Sequence, residues 1–354
     1  MSDIIREHLL QSLNLAKAAV AGQAYVPALT HFAFDGWGIM AYNDVSAIGV
    51  RGPIDLPICL PAEMLIKTLN SMTAEKVLMT QTDDGAVVVA AGRSKVKIPY
   101  LELSSFPFEF PSVCWEDGFV VTADMLKGIE KCLVGVGTDP THPAQMGVTI
   151  ESTKGGCLLY STDNFTISRY RCSAEIKLPG DVPIILPAFF CNQLLAISKA
   201  FIDEEIVIGL PKGAVCATFG GQAMLFTKLL VDLEPMDFSR ILCKYLQGAN
   251  IDNAAEIPNG FESALDRALL ILSTEMDKAT KIIVEGGKMK LFSSSAQGEA
   301  SDTLAFEHDD TDSFLADPAL VLRASRICRK AALLEKVMLL TDGTFTHLIA
   351  HCSV

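Results

Sequence analysis

The residues that most often catalyse reactions or bind metals are poorly grouped in this chain. The six histidines form neither an HExxH motif nor a zinc-ligand spacing; they are His8, His31, His142, His308, His347 and His351. The GVGTDP stretch at Gly135 lacks the rest of a phosphate-binding fingerprint, and the HDD at His308 is best explained as a solvated loop. A cysteine nucleophile stays an alternative, since its histidine would be adjacent only in the fold. The sequence therefore predicts no enzyme, no cofactor and no metal site.

Cysteine usage and hydropathy indicate the compartment. The ten cysteines form no CxxC pair, and most lie within apolar runs, as buried thiols do. The first twenty residues carry acids and apolar positions at helical spacing, unlike a signal peptide. No apolar run reaches the roughly 18 residues that span a bilayer. We expect a cytoplasmic protein that does not enter a membrane.

Basic side chains are concentrated in the predicted helices, although the formal net charge of the chain is −13. These helices are 4–20, 61–72, 122–136, 187–201, 261–272 and 317–332, and they hold eleven Lys or Arg against seven acids. In the last of them, Arg323, Arg326 and Lys330 share one face opposite an apolar face. A solvated surface explains any single cationic helix face, but six helices with the same bias weaken that explanation.

One phrase occurs three times along the chain. It reads DLPICLPAEMLIKTLNSM from Asp55, DVPIILPAFFCNQLLAIS from Asp181 and DSFLADPALVLRASRICRK from Asp312. Each copy predicts a helix that begins at a Pro-Ala pair, and a β-rich hairpin follows. Another helix and three strands precede each copy. The spacing is that of a small domain rather than of a solenoid repeat.

The sequence therefore predicts an α+β fold of three repeated domains, each with two helices and a mostly antiparallel sheet. The pattern restarts near FPFEFPSVCWEDG and within CKYLQGANIDNAAEIPNG. We place the domains at 1–117, 118–243 and 244–354.

At this point the chain resembles a known family, the bacterial DNA polymerase III β subunit, which is the replicative sliding clamp. The resemblance covers the whole chain and rests on the order of four stretches: GRSKVKIPYLELSSFP, GVTIESTKGGCLLYSTDNFTISRYRC, LLVDLEPMDFSRIL and ALLILSTEMDKATKIIVEGGKMKLFSSSAQGEASD. It implies the DNA clamp fold and a head-to-tail homodimer whose six domains form a ring around double-stranded DNA. Such a ring gives processivity by tethering the DNA polymerase, and a clamp loader and other proteins bind it through short peptides.

The resemblance also implies three sets of site residues. Helix residues facing DNA without base specificity would be Arg6, Lys17, Lys67, Lys127, Lys131, Lys199, Arg267, Arg323, Arg326 and Lys330. The peptide pocket would comprise Thr162, Phe165, Thr166, Ile167, Met236, Arg240, Ile241, Leu348 and Ala350. The dimer contact would involve Phe106, Ile271 and Leu272. The chain departs from the family at the pocket, with Asn-Phe-Thr-Ile after the Thr-Asp pair, where Gly-His-Arg-Leu is common, and AHCSV at its end.

Two other non-enzymatic interpretations fit parts of the pattern. A ring or repeat scaffold could bind peptides without encircling DNA, but it has no need for cationic faces on six helices. A trimeric ring of two-domain subunits, as in archaeal and eukaryotic clamps, also reaches six domains. Three repeats in one chain favour the dimer.

Overall fold

A computed structural model describes residues 4–52, 54, 56–178, 182–229, 236–246, 254–275, 278–307 and 312–352. The α-helices within these residues are α1 (Arg6–Ala16), α2 (Ala62–Ser71), α3 (Ala123–Cys132), α4 (Ala188–Ala200), α5 (Phe238–Leu246), α6 (Phe261–Ile271) and α7 (Pro318–Ser325). The first strands are β1 (Ile4–Ile5), β2 (His31–Phe34), β3 (Gly38–Tyr42), β4 (Ser46–Arg51), β5 (Ile58–Pro61), β6 (Lys76–Thr82), β7 (Ala86–Ala91), β8 (Ser94–Pro99), β9 (Leu101–Glu102) and β10 (Phe119–Val120). The middle strands are β11 (Gly147–Thr153), β12 (Gly156–Thr162), β13 (Thr166–Cys172), β14 (Ile184–Pro187), β15 (Ile206–Gly209), β16 (Ala214–Phe219), β17 (Ala223–Lys228) and β18 (Ala255–Glu256). The last strands are β19 (Thr280–Glu285), β20 (Lys288–Ser295), β21 (Gly298–Ala305), β22 (Asp312–Ala316), β23 (Lys330–Leu333), β24 (Val337–Thr341) and β25 (Phe345–Ala350).

The threefold repeat predicted from the sequence is present in the order of elements. Each copy runs helix, three strands, a strand that leads into the second helix, and three strands. The copies begin at α1, α3 and α6, and their second helices are α2, α4 and α7. The α+β class is therefore confirmed.

The chain divides into two compact units by its internal contacts. The first unit combines Met1–Thr122 with Phe189–Val231, and the second combines Ala123–Ala188 with Asp232–Val354. Each unit holds one large antiparallel sheet and one four-stranded sheet. The second repeat supplies strands to both large sheets, so the units do not coincide with the repeats.

Sheet order shows how the repeats are joined. In the first unit the strands run β10-β15-β16-β17-β4-β3-β2-β5-β9, and in the second they run β14-β11-β12-β13-β25-β24-β23-β18. The joints are β17 with β4 and β25 with β13, which are antiparallel pairs. The two four-stranded sheets are β1-β6-β7-β8 and β21-β20-β19-β22.

The predicted last helix is wrong beyond Ser325. Helix α7 ends there with Arg326 as its C-cap, and Lys330 begins strand β23. Pairing of Ala331 with Leu340 on β24 and with Ala255 on β18 provides ladder hydrogen bonds that override a helical apolar spacing. Lys330 therefore does not extend the cationic face of Arg323 and Arg326.

Two other helix predictions were too long, and one helix was missed. The last residues of the predicted helices 4–20 and 122–136 form single 3₁₀ turns at Lys17–Ala19 and Leu133–Gly135. Helix α5 lies where the sequence predicted a boundary between repeats.

Candidate peptide pocket and basic helix faces

An apolar pocket lies in the second unit where the β12–β13 turn, β25 and α5 meet. Its cavity volume is about 120 Å³, and its lining is Thr162, Asn164, Phe165, Ile167, Met236, Phe238, Ile241, Tyr245, Val337, Leu348 and Ala350. Seven of the nine residues assigned to a peptide pocket from the sequence are therefore brought together. Thr166 is buried beneath the turn and Arg240 is exposed on α5, and neither lines the pocket.

The β12–β13 turn holds Phe165 at the rim. Asn164 adopts a left-handed conformation with φ of 72°, which this residue type tolerates in turns. The Asp163 carboxylate accepts hydrogen bonds from the backbone N–H groups of Phe165 at 3.1 Å and Thr166 at 2.7 Å. Phe165 is left 66% exposed beside the pocket.

Helix α5 forms the other wall. Asp237 accepts a hydrogen bond from the Arg240 backbone N–H at 2.9 Å, which caps the start of the helix. Phe238 stacks on Tyr160 of β12 with ring centroids 4.8 Å apart, and this contact fixes the helix on the sheet. The missed signal was an Asp N-cap followed by apolar residues at helical spacing, in DFSRILCKYL.

The first unit carries the equivalent surface, but it is filled. Its β3–β4 turn has Asp44 in the same left-handed conformation as Asn164. The backbone N–H of Lys228 donates a hydrogen bond to the Val45 carbonyl at 3.0 Å. In the second unit the backbone N–H of Ala350 donates to the Phe165 carbonyl at 2.8 Å in the same way. Phe108 stacks on Tyr42 there with ring centroids 4.4 Å apart. A pocket at this position is thus open in the second unit and occupied by the chain itself in the first.

Most of the predicted DNA-facing cations have partners. Lys67 pairs with Glu63 at 2.6 Å, Arg267 with Asp302 at 2.6 Å, Arg323 with Asp163 at 3.2 Å and Arg326 with Glu262 at 3.9 Å. All four pairs involve an exposed cation, so solvent screens them and a phosphate can compete for the cation.

Arg6 has a structural role at the end of a neighbouring helix. Its Nε donates to the Ala74 carbonyl at 3.1 Å and its Nη1 to the Leu69 carbonyl at 3.3 Å. These bonds satisfy carbonyls at and beyond the carboxyl end of α2.

Lys131 is committed to an ion pair inside the second unit. Its ammonium group pairs with Asp342, and the two side chains are only 13% and 16% exposed. Burial pushes the pKa of Asp342 up, but hydrogen bonds from Lys131 and from the Phe345 N–H outweigh it, so the pKa lies below its ordinary value. The Lys131 ammonium also lies 5.7 Å from the centroid of the Phe345 ring.

Three of the predicted cations are exposed and unpaired, and a fourth is exposed. Lys17, Lys127 and Lys330 form no salt bridge with any residue that the structure describes. Lys199 is exposed near the end of α4. Exposed lysines of this kind are what non-specific phosphate contacts require.

Two of the three predicted dimer residues lie inside the protomer. Phe106 is 9% exposed and Leu272 is 2% exposed, while Ile271 is half-buried. The neighbouring Leu270 is 71% exposed on the last turn of α6. The sequence pattern ALLIL contained this residue, but it could not show which leucine points outward.

A buried histidine in this unit makes stability depend on pH. His347 is 0% exposed, and its Nδ1 lies 2.9 Å from the Ser168 hydroxyl. Burial, with a smaller contribution from the Arg323 charge, lowers its pKa from 6.5 to about 3.

We expect the free energy of unfolding to fall by about 2 kcal/mol between pH 7 and pH 5 through His347. The unfolded chain takes up a proton below pH 6.5, whereas the folded chain does not until about pH 3. Urea midpoints at pH 7 and pH 5 measure this loss. His347→Gln should remove much of it, and the exposed His142→Gln should not; equal pH dependence in both variants would contradict the assignment.

The other chemistry considered from the sequence was metal binding and a cysteine nucleophile. Within the described ranges, no cluster of three or more His, Cys, Asp or Glu could hold a metal ion. His308 lies outside those residues. Burial raises the pKa of Cys59 to about 11 and those of Cys216 and Cys328 to about 12, which disfavours the reactive thiolate. None of the helices in the described part of the chain is long and apolar enough to cross a membrane.

We compared the sequence and the fold with those of known proteins. No model of a known protein family matches the chain. Curated relatives include the beta sliding clamp of Pseudomonas putida, 20% identical over 318 residues, and that of Caulobacter vibrioides, 22% identical over 332 residues. Each alignment covers 86% of this chain and 84% of the relative.

Solved structures agree over a greater length. A DNA polymerase sliding clamp from Pseudomonas aeruginosa matches with a TM-score of 0.84 at 18% identity. The DNA polymerase III subunit beta from Bartonella birtlesii, bound to griselimycin, matches with a TM-score of 0.85 at 18% identity. Both cover 99% of each chain. The chain is a divergent relative of the beta sliding clamps.

The sliding-clamp fold agrees with the resemblance stated from the sequence. The match covers 99% of this chain, so it extends over all three copies of the repeat. Sequence identity to the curated relatives is only about 20% over the whole alignment. The unusual residues of the pocket turn, Asn164 to Ile167, are therefore part of a divergence that is not confined to the pocket.

Proposed function

We propose that this chain is a DNA sliding clamp, a non-catalytic processivity factor that encircles duplex DNA as a homodimeric ring and tethers a DNA polymerase. The observation that carries the proposal is the pattern of sheet joints. At each joint the third strand of one half-sheet pairs with the third strand of another, as β17 does with β4 and β25 with β13. Within the described residues, β8 and β21 are the third strands whose outer edges have no partner.

The two free edges complement each other. The joint registers pair Ser46–Val50 with Ala223–Thr227 and Thr166–Tyr170 with Phe345–Ile349, always over the first five residues of each strand. Applied to β8 and β21 of two copies, this register places Lys97 opposite Glu299 and Ile98 opposite Gly298. Opposite charges directly across an antiparallel pair stabilise it.

Side-chain alternation supports the same register. Ile98 is buried and Lys97 exposed on β8, while Glu299 is exposed and Gly298 half-buried on β21. The pairing thus joins the covered face of one strand to the covered face of the other. Two such contacts close a head-to-tail dimer, and three repeats per chain, with domains at 1–117, 118–243 and 244–354, give six domains.

Contact with DNA follows from the exposed cations. Lys17, Lys127 and Lys330 would meet phosphates directly, exposed Lys199 would add a further contact, and Lys67, Arg267, Arg323 and Arg326 would exchange a carboxylate for a phosphate. Such contacts are weak, independent of base sequence and sensitive to salt. Retention on DNA would come from topological closure. We place the protein in the cytoplasm, with its DNA.

The pocket in the second unit is the proposed docking site for short peptides of the polymerase, the clamp loader and other partners. Its open, apolar floor and the exposed Phe165 ring support this role. A peptide side chain that enters it would remove both from water.

Topology provides the test of the function. Dimers dissociated by dilution are mixed with nicked circular plasmid, concentrated to reassemble, and filtered by size in high salt. We expect protein to stay with the circle and to leave when one restriction cut makes the DNA linear. Protein that never stays with circles while peptides still bind would support the scaffold alternative. Equal retention on linear DNA would contradict encirclement.

We expect Ile241→Asp to abolish peptide binding. A carboxylate on α5 would face the apolar floor, where burial of a charge is costly, so affinity should fall at least tenfold, about 1.4 kcal/mol. A labelled peptide from a clamp-binding polymerase, followed by anisotropy, measures this. Arg240→Asp is the matched control, since Arg240 is exposed and lies outside the lining. Unchanged affinity in Ile241→Asp would place the docking site elsewhere.

A further inference from the structure

A second and larger groove lies in the first unit, between the β2–β3 turn and the segment that follows β9. Its cavity volume is about 590 Å³, within the range of ligand-binding sites. Its walls are largely aromatic or thioether side chains, namely Trp37, Met40, Phe106, Phe108, Phe110 and Met224.

This groove is not the first-unit copy of the peptide pocket. That copy is filled by Phe108, which contacts Tyr42 and lies 5.0 Å from Phe226 between ring centroids. The groove begins on the other side of Phe108, where Phe110 meets it edge-on at 5.1 Å. The side chain that fills the first-unit copy of the peptide pocket therefore does not fill this groove.

A glycine allows the aromatic wall to form. A Cβ on Gly49 would lie 2.9 Å from the Phe110 ring and 3.2 Å from the Trp37 ring, so both rings rest against the bare strand. In the second unit, register places Arg169 at this position, because Gly49 is opposite Met224 as Arg169 is opposite Thr346. The fold accepts a large side chain here, so the wall is a feature of this site and not a requirement of the sheet.

The charges around the groove are mainly negative. Asp35 and Glu109 belong to its lining, and none of the described residues that line it is Lys or Arg. The segment 102–117 holds four acids and no basic residue. Arg51 is exposed and pairs through its backbone with Gly38, the residue after Trp37, but it does not belong to the lining.

The size and lining limit the occupant. An α-helix with side chains is about 10–12 Å wide, so about 590 Å³ would hold little more than one turn. A polyproline II segment is narrower and needs no internal hydrogen bonds. Grooves lined by aromatic rings bind such segments because the prolines are already ordered and pack against the ring faces.

We propose that this groove binds a proline-rich peptide that carries an arginine or lysine beside its prolines. The prolines pack between Trp37, Phe108 and Phe110. The cation lies near Asp35 and Glu109. The site is separate from the pocket in the second unit, and the proposal does not depend on DNA encirclement.

Peptide titration tests the proposal with the whole protein. The probe is a fluorescently labelled ten-residue peptide with a Pro-x-x-Pro core and a terminal arginine, and its match has glutamate in place of the arginine. We expect saturable anisotropy with the first peptide and about tenfold weaker binding of the second. Saturation absent at millimolar protein, or equal binding of both peptides, would overturn the proposal.

Three variants assign that binding to the groove. Trp37→Ala removes a wall and should weaken binding roughly thirtyfold. Glu109→Gln changes only an exposed charge, cannot unfold the sheet, and should weaken it about threefold. Phe165→Ala, in the other pocket, should change nothing. Wild-type affinity in both groove variants, or a loss only in Phe165→Ala, would contradict the assignment.

Discussion

Leu270→Asp is expected to give a protein with the mass of one chain. Leu270 is 71% exposed at the end of α6, and the next residue, Ile271, lies beside Gly298, which begins edge strand β21. In the proposed dimer this leucine is buried against the second copy, so a carboxylate there would enter an apolar contact. Burying an unpaired charge costs several kcal/mol, and two contacts per ring double the effect. Light scattering after size exclusion measures the mass.

The control is an equally exposed apolar residue away from the edge strands. Ile202 is 81% exposed in the turn after α4, and Ile202→Asp should leave the mass unchanged. Leu272→Ala, at a dimer residue that the family resemblance implied, is less informative because Leu272 is buried in its own unit and its truncation costs about 2–5 kcal/mol of folding stability. A Leu270→Asp protein that still elutes as two chains would exclude this contact.

Charge reversal tests the register of the same contact. Glu299→Lys should weaken association several-fold, because it places two lysines opposite each other. Adding Lys97→Glu should restore part of that loss. Restoration is partial because Lys97 also pairs with Asp84 in the β6–β7 turn, and Lys97→Glu leaves two acids together there. If the double variant showed no recovery of association, the strands would have to pair in another register.

Lys131→Met should lower the free energy of unfolding by about 3–5 kcal/mol. The substitution leaves the Asp342 carboxylate mostly buried without the ammonium group that lowers its pKa. Urea unfolding of the second unit's tertiary signal measures the loss. Asp342→Asn added to Lys131→Met should recover much of it, since no buried charge then remains.

The matched control lies four residues earlier on α3. Lys127 is exposed and has no salt bridge within the described residues, so Lys127→Met should change stability by less than about 0.5 kcal/mol. It should instead reduce the salt dependence of DNA binding by about one counterion. If stability were lost in Lys127→Met and not in Lys131→Met, the assignment of the stabilising ion pair to Lys131 would be wrong.

The fold was largely predictable because its signals are local and repeated. The Pro-Ala pairs at Pro61 and Pro187 stand where a strand passes into a helix, and three copies of one phrase reinforce each other. The failure at Lys330 has the opposite cause. Its short run of apolar residues fits a helix by spacing, and only pairing with β24 and β18 decides for a strand.

The candidate site was predictable only in part. Ile167 and Leu348 could be placed by position along a resembling turn and strand, and they do meet in the pocket. Phe238 and Tyr245 were missed because α5 was not recognised. The sequence also showed how many cations the helices carry, but not which acids pair with them. The acid that binds Lys131 comes from a turn more than two hundred residues away, and no local pattern shows it.

The charges on the two bare strand edges also determine which assemblies are avoided. An unpaired edge strand is a template for indiscriminate β-addition and fibre growth. Two β8 strands placed side by side over the same five residues would bring Lys95 of one copy opposite Lys97 of the other. These like charges repel that self-pairing, whereas Lys97 and Glu299 attract each other in the mixed pairing. The two lysines would therefore also disfavour aggregation of a lone protomer through β8.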